Sequence, residues 1–232
     1  MILRNISKAI REQDWFAAAV EFVIVIVGVV IGFQVNAWNE SRQADSRANE
    51  LLGRITEEFR TLEATLVSSE EIAMAYEAAT ENVIRAIRED AVATTDPETM
   101  TYWLGLVRHV GRPPTRSAVF AEMVASGELS LLPTELRTAL SRFNQAIERN
   151  KYLWPEAASH LTGSTALFDA VDYTSLNDSR RVLSFDPELV PLAESDLEAL
   201  VIYQGALRIA ISDSLENARE TLFLAEQTSD AD

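Results

Sequence analysis

The stretch FVIVIVGVVIGF, from Phe22 to Phe33, runs for twelve residues without one polar side chain. A helix built from it has no wet face, so it is not the half-exposed helix of an ordinary soluble domain. The apolar character reaches back to Trp15, interrupted by Glu21. It reaches forward to Trp38, past Gln34 and Asn36. A helix over Trp15–Trp38 spans about 34 Å, enough for a bilayer core of ~30 Å. Trp15 and Phe16 at one end, Phe33 and Trp38 at the other, have the spacing of two interfacial aromatic belts. The sequence therefore predicts a short tail over 1–14 and a transmembrane helix over 15–38. The rival reading is a cleaved signal, with Val35-Asn36-Ala37 as the cleavage site. The long segment ahead of the run, with acids at Glu12, Asp14 and Glu21, argues against it.

The residues that interrupt the span share one side. At 100° per residue, Ala17, Glu21, Val25, Gly28, Gly32, Asn36 and Asn39 fall within an arc of about 100°. Gly28 and Gly32 form G-x-x-x-G, which lets two helix backbones come close. A glutamate near hydrocarbon is costly against lipid and cheaper against protein or water. Glu21, Val25, Gly28, Gly32 and Asn36 are therefore the candidate helix–helix interface. The blander alternative is that glycine is common in spans and Glu21 reaches the membrane edge.

Charge is unevenly placed. In residues 1–21, Arg4, Lys8 and Arg11 cancel Glu12, Asp14 and Glu21, so the rest carries the whole net charge of −16. Such a domain repels nucleic acid and anionic headgroups, which excludes nucleic acid as an expected partner. Orientation rests on a thin contrast, because Arg42, Arg47 and Arg54 follow the span much as three basic residues precede it. A short basic tail ahead of a first span favours an N-terminus inside the cytoplasm and the acidic domain outside it.

Beyond the span the pattern is helical. Ala48, Leu52, Ile55, Phe59, Leu62, Leu66, Ser69, Ala73, Tyr76, Thr80, Val83 and Ile87 follow a 4,3 spacing, and ten of the twelve are apolar. This predicts a long amphipathic helix to about Asp90. It is either one arm of an antiparallel bundle or a parallel coiled-coil stalk. Thr95-Asp-Pro-Glu98 reads as a helix start, leading to about Val110. A break at Gly111-Arg-Pro-Pro114 precedes a short helix over 116–125, ended by Gly127. Pro133 opens another helix, which Trp154-Pro155 should kink or interrupt. Residues 172–185 read as a loop. Ser195-Asp-Leu-Glu198 reads as a capping box opening the last helix, which ends near Glu226. The expected fold is all-α: one transmembrane helix, a long amphipathic helix, then an antiparallel helical bundle over 39–228, with a disordered tail at 229–232.

Two stretches carry a resemblance. VIVIVGVVIGFQVNAWNE, with Gln34-x-Asn36-x-Trp38-Asn39-Glu40 closing the span, and MVASGELSLLPTELRTALSRF, with Ser126-Gly-x-Leu-x-Leu131 before a Leu-Arg helix, resemble an uncharacterised family of bacterial single-span membrane proteins. The likeness is diffuse elsewhere. It implies a membrane protein of bacterial type and lends no activity or site residue.

Chemistry is sparse. Without cysteine there are no disulfides, thiol nucleophiles or cysteine-bound metals. His109 and His160 sit in no ligand motif, and Glu156 and His160 lack the spacing of a di-iron bundle. No P-loop, dinucleotide fingerprint, EF-hand or G-x-S-x-G frame is present. Asp169, Asp172, Asp178 and Asp186 could gather round calcium but read better as a solvated loop. Arg112-Pro-Pro-Thr-Arg116 could hold an anion at a helix start, but reads better as a rigid corner. Glu57-Glu58 and Glu70-Glu71 read as the wet face of the long helix. No catalytic, cofactor or metal site is expected. The expectation is a non-enzymatic inner-membrane protein with a periplasmic helical domain. Its expected partners are the lipid bilayer and other transmembrane helices, in a homo-oligomer or a membrane complex, where it serves as an accessory or assembly subunit. The alternative is a ligand-sensing helical bundle signalling through a partner.

Overall fold

The structure, a computed structural model, describes the backbone of residues 2–173 and 182–230 and the side chains of residues 19–172 and 184–229. Helix α1 runs over Ile2–Arg88. It is followed by α2 (Pro97–Val107), α3 (Ala118–Ser126), α4 (Thr134–Gly163), α5 (Thr165–Ala170), strands β1 (Val171–Tyr173) and β2 (Val182–Phe185), and α6 (Glu194–Asp230). The chain divides into two compact units, Met1–Glu50 and Leu51–Asp232. The all-α class holds.

The second unit is organised by the stripe on α1. From Leu52 to Ile87 every predicted stripe residue is buried or half-buried. Phe59 is wholly buried and meets the Phe143 ring of α4 edge-on, with centroids 4.7 Å apart. Around it Leu52, Ile55 and Leu66 pack with Leu136, Leu140 and Ile147 of α4 and with Leu207, Ile211 and Leu215 of α6. Each such side chain contributes on the order of 1.5–3 kcal/mol by leaving water. A second cluster joins Val83 and Ile84 to Met100 and Leu104 of α2, Leu167 of α5 and Leu197 of α6. Val110 packs against both clusters.

The polar members of the stripe do not oppose burial, because their hydroxyls bond within the helix. Ser69 donates to the Thr65 carbonyl at 2.8 Å and Thr80 to that of Tyr76 at 3.0 Å. A buried polar group is tolerated on that condition. Ion pairs set the sense of the long helices. Arg60 meets Glu226, Glu63 meets Arg219, Glu77 meets Arg208 and Arg88 meets Glu198. Numbers rise along α1 as they fall along α6, so the two are antiparallel. Arg142–Glu220 and Arg149–Asp213 give α4 and α6 the same relation.

The ends of the helices follow local rules. α1 closes where Asp90 adopts φ 52, with Asp90 N–H donating to the Ile87 carbonyl and Ala91 N–H to that of Ala86. This is a Schellman motif, its left-handed position filled by aspartate. Asp96 caps α2, accepting from the Thr99 N–H at 2.9 Å and the Thr99 hydroxyl at 2.8 Å, with Pro97 in the first turn. Gly127, at φ 76, ends α3 and starts a 3₁₀ turn over Glu128–Leu131. That conformation is the reason a glycine stands there.

Several expectations are corrected. Residues 172–185 are not simply a loop. The segment's ends form an antiparallel pair, with Val171 opposite Phe185 and Asp172 opposite Ser184. β-Branched and aromatic residues suit that pairing, and buried Val171 joins the second cluster. Residues 174–181, including Asp178, lie outside the described residues. α4 runs on through Pro155 rather than stopping there. Ser195 is not a cap. A 3₁₀ turn over Val190–Ala193 leads directly into α6 at Glu194, so Ser195 lies inside the helix with an exposed side chain.

Candidate functional site

The first unit presents the predicted span. Among the described residues one helix is long and apolar enough to cross a membrane, and it lies near the N-terminus. Its side chains are exposed all round. Phe22 is 66%, Ile24 65%, Phe33 72% and Trp38 63% exposed. Within the first unit none of the described residues covers them, whereas the stripe of the second unit is buried or half-buried along its length. The side chains of Trp15 and Phe16 lie outside the described residues.

All five candidate interface residues lie on α1. Glu21, Val25, Gly28, Gly32 and Asn36 are each exposed. A Cβ added at Gly28 or Gly32 would meet nothing within 4 Å. The helix brings these residues into one arc and brings no other part of the described chain against them. Asn36 and Glu21 differ. The Asn36 Nδ2 donates to Glu40 Oε1 at 2.7 Å, one turn along the same helix. Beside it the Arg42 guanidinium lies 5.2 Å from the centre of the Trp38 ring. The exit end of the span thus carries its own polar closure.

In the second unit the groups that seemed candidates for chemistry are engaged in structure. Glu58 does not belong to the wet face of α1. Its carboxylate accepts from the Ser117 hydroxyl at 2.7 Å, the Ala118 N–H at 2.6 Å and the Val119 N–H at 3.1 Å. The anion at the start of α3 is therefore the protein's own, and the corner at 112–116 holds no vacant cradle there. Arg112 instead lies 5.1 Å over the Trp154 ring. No signal in the sequence marked Glu58 apart from Glu57, because its partners lie 59 to 61 residues away.

His109 stacks on Tyr76 with centroids 5.5 Å apart, and His160 on Tyr203 at 4.2 Å. Asp172 accepts from the Ser184 hydroxyl at 3.1 Å, and Asp186 from the Glu188 N–H at 2.9 Å, so both are taken up by the strand pair and the turn after it. Among the described residues no group of three His, Asp or Glu side chains is placed to hold a metal. Among the described residues Asp96 and Arg88 are shifted. The Thr99 backbone N–H, then its hydroxyl, hold the Asp96 carboxyl below its usual range. Hydrogen bonds to Glu194 and Glu198 raise Arg88 further. Both are structural contacts at helix ends.

Among the described residues three buried side-chain polar atoms have no protein partner: Asn150 Oδ1, Trp154 Nε1 and Gln204 Oε1. Asn150 and Trp154 stand one turn apart on α4, and the Asn150 amide is oriented by its 2.9 Å bond to the Ser214 hydroxyl. A donor and an acceptor so placed suit a water or a small polar ligand. The grooves between α1 and α6 are open and lined mainly by polar and charged residues such as Thr56, Glu57, Arg60 and Glu226. Comparison with protein-family models, with curated proteins and with solved structures finds no match.

Proposed function

We propose that this chain is a non-enzymatic single-span protein of a bacterial inner membrane that serves as an accessory or assembly subunit of a membrane complex. In this reading the tail over 1–14 is cytoplasmic, residues 15–38 cross the bilayer, and the acidic domain is an antiparallel helical bundle outside the cytoplasm. The supporting observation is the contrast within α1. Its described apolar part is exposed on every side, and its small and polar residues gather on one arc, while the stripe from Leu52 onward is buried or half-buried. Lipid can cover most of the first part. The arc of Glu21, Gly28, Gly32 and Asn36 suits another helix better than lipid. The family resemblance carried by Gln34 to Glu40 agrees with a membrane protein of this type.

The test is extraction of the full chain in mild detergent, with its companions identified by mass spectrometry. Foreign membrane subunits in fixed stoichiometry are the expected outcome. A chain that purifies alone, without foreign subunits, defeats the accessory reading. A reporter active only outside the cytoplasm, fused after Asp232, should be active. Activity from a cytoplasmic reporter alone reverses the orientation.

The second reading is a ligand-sensing bundle that signals through a partner span. The observation favouring it is the set of buried polar atoms without partners on Asn150, Trp154 and Gln204. A small molecule retained by the purified chain and displaced by Asn150→Leu would move the balance to it. Water serves those atoms equally well, so the first reading is kept.

A further inference from the structure

Glu21 differs from Asn36, the other polar residue of the candidate interface. Its neighbours one turn away are Ala17, Ala18, Ile24 and Val25, and none offers a donor. Among the described residues it has no hydrogen bond and no ion pair, whereas Asn36 is already bonded to Glu40. The nearest cation before it in the chain is Arg11, ten residues back and more than two helical turns away. Glu21 also lies six residues inside Trp15, the first residue of the predicted belt. In the proposed span a carboxylate at that depth is drawn away from bulk water and has no counter-charge from its own helix, and a lone acid inside a span calls for a partner.

The identity of that partner is constrained by symmetry. Two copies of this span meeting through Gly28 and Gly32 form a two-fold pair, in which each residue faces its own image. The two Glu21 carboxylates then converge on the same side of the contact, about two turns from Gly28 and three from Gly32. Like charges brought together in low dielectric repel, so such a dimer loosens at that end. A span of another chain has no such restriction. An arginine or lysine at the depth of Glu21 neutralises it, and a guanidinium can do so through two parallel hydrogen bonds.

Resting on the reading of the arc as protein-facing, we infer that Glu21, Gly28 and Gly32 dock one transmembrane helix of a different chain, which carries an arginine or lysine at the level of Glu21. The glycines supply close approach and the ion pair supplies choice of partner and register. A second copy of this chain meets the first requirement and violates the second.

The experiment uses the full chain in its native membrane. The protein has no cysteine, so Val25→Cys, on the arc between Glu21 and Gly28, can carry a benzophenone that captures whatever lies against it. The same is done in the Glu21→Gln background, which keeps size and hydrogen bonding but removes the charge. Yields are normalised to the inserted chain. The expected product is an adduct with one foreign protein, mapped within a turn of a lysine or arginine in its span. Its yield should fall about tenfold with Glu21→Gln, the scale of a lost interhelical polar contact. An adduct with a second copy, unchanged or increased by Glu21→Gln, overturns the inference and leaves the arc protein-facing. A foreign adduct indifferent to Glu21→Gln overturns the cation. Capture of lipid alone overturns the protein-facing arc and the inference with it.

Discussion

The two parts of α1 form one helix and differ in what covers them. Residues 51–88 repeat apolar side chains at 4,3 spacing, and the rest of the second unit covers that stripe. Residues 22–33 are apolar all round, and no part of the described chain covers them. Helix propensity does not decide the difference, since valine and isoleucine are weaker helix formers than the alanine, leucine and glutamate that follow, yet one helix runs through both parts. What differs is the width of the apolar surface. A narrow stripe is matched by neighbouring helices of the same chain. A full apolar cylinder exceeds what they can bury and requires a medium, and the polar arc on it then becomes a question of who else is in that medium.

The strongest test of the covered half is Phe59→Ala. Phe59 is wholly buried against Phe143, and deleting a ring in such a site costs about 3–5 kcal/mol. Urea unfolding of residues 41–232, followed by far-UV circular dichroism, measures it. The parent fragment should show a spectrum dominated by helix. A cost under about 1 kcal/mol would mean that the α1 stripe is not core and would erase the contrast with the span.

Next in size is Glu58→Ala. It removes one carboxylate that holds a hydroxyl and two N–H groups at the start of α3. The loss should be about 2 kcal/mol, at the upper end for a helix cap. Glu57→Ala, one residue away and exposed, should change stability by less than about 0.5 kcal/mol. Equal effects at the two positions would show that Glu58 belongs to the wet face after all.

Gly32→Ile acts on the other half. If the arc faces a helix, the added side chain separates the backbones and costs about 1 kcal/mol of association, read as loss of the native complex in mild detergent. Val27→Leu, on the opposite face, should leave the complex intact. If both variants assemble normally, the two faces of the span are equivalent and lipid covers both.

How much of this was legible in the sequence depends on the range of the interaction. The α1 stripe, the start of α2 at Asp96-Pro97 and the break at Gly127 are local patterns, and each is found where the periodicity or the turn residue places it. The box at Ser195 misled because Val190–Ala193 already winds as a 3₁₀ turn, so the chain enters α6 with no free end for Ser195 to cap. The strand pair was missed because its halves are three and four residues long and separated in sequence, too short to display alternation. Glu58 was missed because a side chain capping a distant helix leaves no periodic mark. On the span, the arc was visible from the helical angle alone. The bond from Asn36 to Glu40 was not singled out, and it leaves Asn36 engaged within its own helix.

The smallest expected effect is a pH dependence at Asp96, and it refines the covered half alone. The Thr99 backbone N–H, and secondarily the Thr99 hydroxyl, hold the Asp96 carboxyl below its usual range in the folded chain. A group whose folded pKa is depressed stabilises the fold above its unfolded pKa, and that contribution is lost as pH falls through the folded value. The unfolded chain takes up the proton first, so acidification favours unfolding. Asp96→Asn keeps an acceptor for the Thr99 N–H and removes the titration. The parent should therefore be the more stable of the two at neutral pH. The gap should close only in acid, beginning near the ordinary aspartate range and ending below it. Because Asp96 is exposed, the gap should be small and should shrink further in high salt. Urea midpoints for both forms of residues 41–232 across that range decide it. A gap that widens on acidification would mean that the Asp96 carboxyl is not the ionised cap of α2.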